Sequence, residues 1–145
     1  MTNDAVETRA AAGERRLVTV LFCDLVGSTV LSQRLDQEDY AEIVLSYQET
    51  VRGVIEGNGG AVANYSGDGV VGQFGFPDSH ENDAERAVVS GLEICELVIE
   101  LDRTLGAELG ERIQCRIGLH ASVSVVGMMG AYRQDMSIFG DTANI

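Results

Sequence analysis

From Arg16 to Cys23 the chain reads RLVTVLFC, an almost unbroken apolar run that ends on Asp24. A run of this length without alternation predicts a strand buried on both faces. Ser28 to Leu35 predicts a short helix, and a longer one follows from an acidic, cap-forming start at Asp36 to Asp39. Tyr40, Ile43, Val44, Tyr47, Val51, Val54 and Ile55 then fall on one helical stripe, and Gly57 with the following NGG ends it. Two short strands are predicted in AVANYS and VVGQFGF, joined by GDG, with Asp-Gly as the hairpin signal. A second long helix places Ala84, Ala87, Val88, Gly91, Leu92, Cys95, Val98 and Ile99 on its apolar face. The segment ERIQCRIGLHASVSVVG alternates, with Ile113, Cys115, Ile117 and Leu119 on one side and Gln114, Arg116 and His120 on the other.

The predicted order is β-α-β-β-α-β, an α+β, ferredoxin-like sheet carrying two long helices. In that topology the first strand is central and lies beside the hairpin. The end of the first strand, at Asp24, therefore meets the hairpin turn at Asp68, so two carboxylates converge at one sheet edge.

Length and composition narrow the classes. The 145 residues suit one domain, and 45% hydrophobic content with one proline reads as globular. Residues 1–14 read as a disordered polar tail and 15–145 as the domain. No run approaches the ~20 apolar residues of a membrane span, and the first residues lack the apolar centre of a secretory signal. A cytoplasmic location is expected. The net charge of −13 argues against nucleic acid and against an anionic membrane as partners. A polyphosphate remains compatible provided that cations are supplied at the site. Cys23, Cys95 and Cys115 show no metal-type spacing and read as core thiols.

Two ionised carboxylates held close repel, and one takes up a proton unless a cation is present. Magnesium prefers one or two carboxylates together with phosphate oxygens. The LVGST segment after Asp24 opens a helix whose free N–H groups suit phosphate. Taken singly, Asp68 also reads as a turn residue and Asp24 as a helix cap. The spacing alone stops at a metal–phosphate site.

Four blocks, RRLVTVLFCDLVGST, YSGDGVVGQFG, CRIGLHASVSVVG and SIFGDTANI, resemble in order and spacing the catalytic domain of class III nucleotidyl cyclases. The resemblance covers about residue 14 to the end. It implies an enzyme converting a nucleoside triphosphate, ATP before GTP, into a 3′,5′-cyclic nucleotide and pyrophosphate with two Mg2+ or Mn2+ ions, for intracellular signalling. By the same resemblance Asp24 and Asp68 match metal-binding aspartates, with the Leu25 carbonyl beside them. Val26, Gly27, Ser28 and Thr29 match the phosphate-cradling turn, and Arg116 an arginine that approaches the terminal phosphates, with a solvated strand residue as the equal alternative. Asn144 matches the asparagine that positions the ribose, while Asn64 and Ser137 match the base-reading positions. Family sites are completed across a homodimer, with metals from one chain and base-reading residues from the other.

The departures bear on activity. Family adenylyl cyclases carry lysine where Asn64 stands. The family's transition-state arginine falls four residues beyond Asn144, past the last residue, Ile145, so the resemblance implies a catalytic domain incomplete at its C-terminus. Both features favour the alternative of a weak or inactive cyclase-like module that binds nucleotide or only dimerises. His80 reads as an exposed loop residue and His120 as a satisfied strand histidine; Met128, Met129 and Tyr132 read either as a dimer arm or as packing residues.

Overall fold

The computed structural model of the protein describes residues 14–128 and 136–139. The predicted tail, Met129, Tyr132 and Asn144 lie outside the described residues, as do the side chains of Met128 and Ser137.

Strand β1 (Glu14–Leu25) sits at the centre of a five-stranded antiparallel sheet. Its neighbours are β3 (Gly69–Phe74) and β4 (Cys115–Met128), with β2 (Ala61–Ser66) and β5 (Met136–Phe139) at the edges, in the order β2-β3-β1-β4-β5. The first four strands have the expected ferredoxin-like order. The strand begins at Glu14, earlier than the apolar run, because its partner β4 is long enough to pair Glu14 with Val126.

Helix α1 (Ser28–Arg34) follows the β1 end, and α2 (Gln37–Gly57) starts at Asp36, whose side chain accepts the Asp39 N–H at 2.9 Å. Ile43, Tyr47, Val51, Val54 and Ile55 of α2 are buried as the stripe predicts. They meet Leu21, Cys23 and Leu25 of β1 and Val70 and Phe74 of β3 in the main core. Each such side chain, once buried, contributes roughly 1.5–3 kcal/mol. Among the described residues, the opposite sheet face carries a small cluster of Val18, Val20 and Phe76. Beyond that cluster, this face is where the end of β1 opens to solvent.

Three expectations are corrected. Helix α3 (Asp83–Leu101) buries Ala87, Ser90, Gly91, Ile94 and Val98, whereas Val88, Leu92, Cys95 and Ile99 are exposed. The helix is apolar around most of its circumference, and the sheet covers one narrow stripe of it. The hairpin turns on Gly67 and Asp68 rather than on Asp68 and Gly69, since Ser66 pairs with Gly69. Gly67 takes φ 60° at the first central position, which is the glycine requirement of a type II′ connection. Finally, Ile113 is buried but precedes β4. A π-helical turn, Asp102–Gly106, extends α3 and brings Asp102 to accept the Ile113 N–H at 2.6 Å and to pair with Arg112 at 3.3 Å.

Candidate metal–phosphate site

The register of the sheet builds the site. Cys23 pairs with Val70 of β3, which puts Asp24 level with the residues just after the hairpin turn. On its other side Asp24 pairs directly with Arg116 of β4. The turn is seated closely: a Cβ added at Gly69 would lie 3.1 Å from Ser66 O, 3.4 Å from Cys23 O and 3.7 Å from Asp24 Cβ. Glycine is thus what allows the hairpin to press against the end of β1. From the helix side, Gln48 Nε2 of α2 donates to Gly67 O at 3.1 Å and pins the turn. Tyr40 of the same helix is held above the usual tyrosine range by burial and then by the Asp68 charge.

A groove of about 590 Å3 opens where these elements meet, lined among others by Phe22, Asp24, Asn64, Asp68, Arg116 and Gly118. The structure therefore brings together both aspartates, Arg116 and Asn64. Asp24 and Arg116 are exposed to solvent there, while Asp68 is half-buried. Asp68 Oδ2 is shielded from solvent and accepts no hydrogen bond among the described residues. Leaving a carboxylate oxygen so is costly, and a bound cation would offset the cost. The donor set, two carboxylates with room for phosphate oxygens and water, fits a magnesium-type ion. Among the described residues no cluster of three or more His, Cys, Asp or Glu side chains is arranged for a metal, so such an ion would need the nucleotide to complete its shell.

The turn after Asp24 is partly committed. The Val26 N–H donates to Gln114 O at 2.9 Å, tying it to the segment before β4. The N-cap of α1 is Gly27, which brings no side-chain cap, so the amides at the helix start are left for another acceptor. Asp24 is therefore not the helix cap. Leu25 is buried and pairs with Cys115. Ser137 pairs with Gly127, toward the other end of β4 from Arg116, and is placed by that register alone. A second groove of about 550 Å3, between α2 and α3, is lined by Glu49, Glu93 and Glu100 and gathers no comparable set.

Two features were not read from the sequence. His80 is exposed but not idle: its N–H donates to Asp83 Oδ2 at 2.7 Å, fixing the loop at the start of α3. The three cysteines, far apart in the chain, converge beneath the groove. Cys23 is buried, Cys115 half-buried and Cys95 exposed, so only the first is a core thiol in the expected sense. Tyr47 O–H donates to Cys23 Sγ at 2.9 Å. Cys23 is pushed up by its hydrogen bond with Cys115 and by burial, and Tyr47 chiefly by burial. Cys115 is lowered to about 7, first by its interaction with Cys23 and then by that with Cys95. Sequence spacing carries no signal of this convergence.

A family profile described as "Adenylate and Guanylate cyclase catalytic domain" matches residues 11–145. Adenylate cyclase 1 of Rhizobium meliloti (strain 1021) is 26% identical over 135 residues, which is 92% of this chain and 20% of that protein. The chain thus spans a small fraction of that relative's length, and 11% of another curated relative. Among solved structures, the guanylyl cyclase Cya2 superposes with a TM-score of 0.82 at 31% identity, covering 91% of this chain and 68% of that one. The adenylyl cyclase CyaB from P. aeruginosa gives 0.83 at 27% identity, covering 90% and 69%.

Proposed function

The chain belongs to the adenylate and guanylate cyclase catalytic domain family, and from that premise we propose that its groove cyclises a nucleoside triphosphate to the 3′,5′-cyclic monophosphate with release of pyrophosphate. The observation that carries the proposal is the convergence of Asp24, the orphaned Asp68 Oδ2 and Arg116 in one groove. Asp24 and Asp68 would hold Mg2+ or Mn2+, with the Leu25 carbonyl adjoining. When bound, such ions lower the pKa of an attacking hydroxyl and stabilise charge on the leaving phosphate. Arg116 faces the terminal phosphates, where a planar guanidinium meets phosphate oxygens two at a time. The amides of Gly27, Ser28 and Thr29 offer further donors at the start of α1, which matters in a chain of net charge −13.

Asn64 and Ser137 read the base in this proposal, and Asn144 orients the ribose. Within a homodimer, metals would come from one protomer and base-reading residues from its partner. ATP is the preferred substrate, and cytoplasmic signalling the setting. Relatives acting on each nucleotide resemble the chain about equally, and the amide of Asn64 can present either a donor or an acceptor to a purine. Asn64 is also the observation that favours the second reading, a module that binds nucleotide and dimerises without turning over.

Incubation of the purified protein with Mn2+ and ATP, and separately with GTP, separates the two readings. Cyclic product and pyrophosphate in equal amounts support catalysis, whereas nucleotide binding without either product supports the module.

A further inference from the structure

The convergence of thiols on the helix side of the sheet has no part in the nucleotide chemistry. Cys115 is the first residue of β4, and Cys95 lies on the exposed flank of α3. Packing fixes how the two elements meet. A Cβ added at Gly91 would sit 3.7 Å from Ile117 Cγ2, so Gly91 of α3 lies over Ile117 of β4. One turn further along α3 is Cys95, and two residues back along β4, on the same face, is Cys115. The two cysteines line one surface cavity of about 260 Å3 with Val98, Asp102, Arg112 and Ile113.

We propose that Cys95 and Cys115 form a reversible disulfide on exposure to a peroxide, a modification site that clips helix α3 to the start of β4. The competing pair is Cys23 with Cys115. They stand diagonally across β1 and β4, since Cys23 faces Ile117 and Cys115 faces Leu25; their sulfurs interact, but diagonal neighbours have Cα atoms about 7–8 Å apart, wide for a disulfide. Cys23 is moreover buried and engaged by Tyr47, so an oxidant reaches it less readily than the exposed Cys95. Cys95 is open to solvent through the cavity it shares with Cys115.

The chemistry balances with peroxide as the only oxidant. One sulfur attacks the peroxide, the O–O bond breaks, and the sulfur becomes a sulfenic acid with release of water or alcohol. The second sulfur displaces the sulfenic oxygen as water, and the S–S bond forms. Two electrons pass from the thiols to the peroxide, and the two thiol protons leave on the oxygens. The bridge anchors the residue next to Arg116, so oxidation acts on the groove from the helix side. The crosslink itself does not depend on the nucleotide reading.

The test is peptide mapping of the non-reduced protein by mass spectrometry after treatment with hydrogen peroxide. A peptide pair joined through Cys95 and Cys115 is expected, with one of three thiols still free to alkylation, and with reversal by dithiothreitol. The oxidised protein should also melt about 5 °C or more above the reduced one, since the link closes a loop of the unfolded chain. Cys95→Ser, at an exposed position, should leave reduced melting unchanged and abolish both the linked peptide and the rise. A link through Cys23, links only between two protein molecules, or three thiols remaining free would each overturn the proposal.

Discussion

Asp24 shows how one residue takes its meaning from its neighbours. In sequence it ends an apolar run; in the structure it is flanked by Gly69 on one side and Arg116 on the other. At Asn64, which lines the groove of its own chain, the resemblance implies a lysine in adenylyl cyclases; in a site shared across the dimer this residue would serve the partner's metal pair. A lysine would offer the base a fixed donor, whereas an amide can turn either face to it, and sites with adaptable partners discriminate less. Asn64→Lys is therefore expected to raise the ATP-over-GTP ratio in kcat/KM by about 10-fold, the worth of one good hydrogen bond. Steady-state kinetics with both nucleotides checks this, and an unchanged ratio in a folded protein would place Asn64 away from the base.

At the scale of elements, the hairpin turn is positioned from two sides, by Gly69 against β1 and by Gln48 of α2 on Gly67 O. In Gly69→Ala the new methyl meets backbone oxygens of Ser66 and Cys23, which belong to a tight turn and a central strand and cannot swing aside. The turn must shift, and Asp68 shifts with it. Activity should fall about 10-fold or more, on the reasoning that small misplacements of reacting groups are costly, while the melting temperature falls only a few degrees. A variant with unaltered activity would show that the position of the turn is immaterial. The elements themselves were largely legible in the sequence. The α2 stripe, the cap at Asp36 and the β1 run each carry a local signal that tertiary structure did not override. The buried side of α3 was not legible, because Val88, Leu92 and Ile99 are as apolar as the residues the sheet covers. The hairpin was misplaced by one residue, because GDG contains two overlapping turn signals and the register that chooses between them is set by β1.

For the whole molecule, topology does what no local pattern could. A central β1 between β3 and β4 gathers residues from three distant blocks into one groove, and the same crossing of α3 over β4 gathers three cysteines beneath it. The aspartate pair was legible because the β-α-β-β-α-β order fixes that juxtaposition. The thiols were not, because it depends on where along the sheet α3 lies. If two protomers share each site, mixing Asp24→Ala with Asn144→Ala should restore partial activity, since one of the two composite sites becomes intact. Absence of complementation in heterodimers verified by mass would indicate that each chain builds its own site.

The central claim is that Asp24 and Asp68 act as one metal-holding unit, and a double-mutant cycle on cyclic nucleotide formation with Mn2+ measures it most directly. Groups that act as a unit are strongly non-additive. Asp24→Ala, Asp68→Ala and the double variant, each checked for unchanged folding by circular dichroism, should all lose nearly all activity, the double no more than either single. Retention of most activity by either single variant, or losses that multiply in the double, would contradict the account.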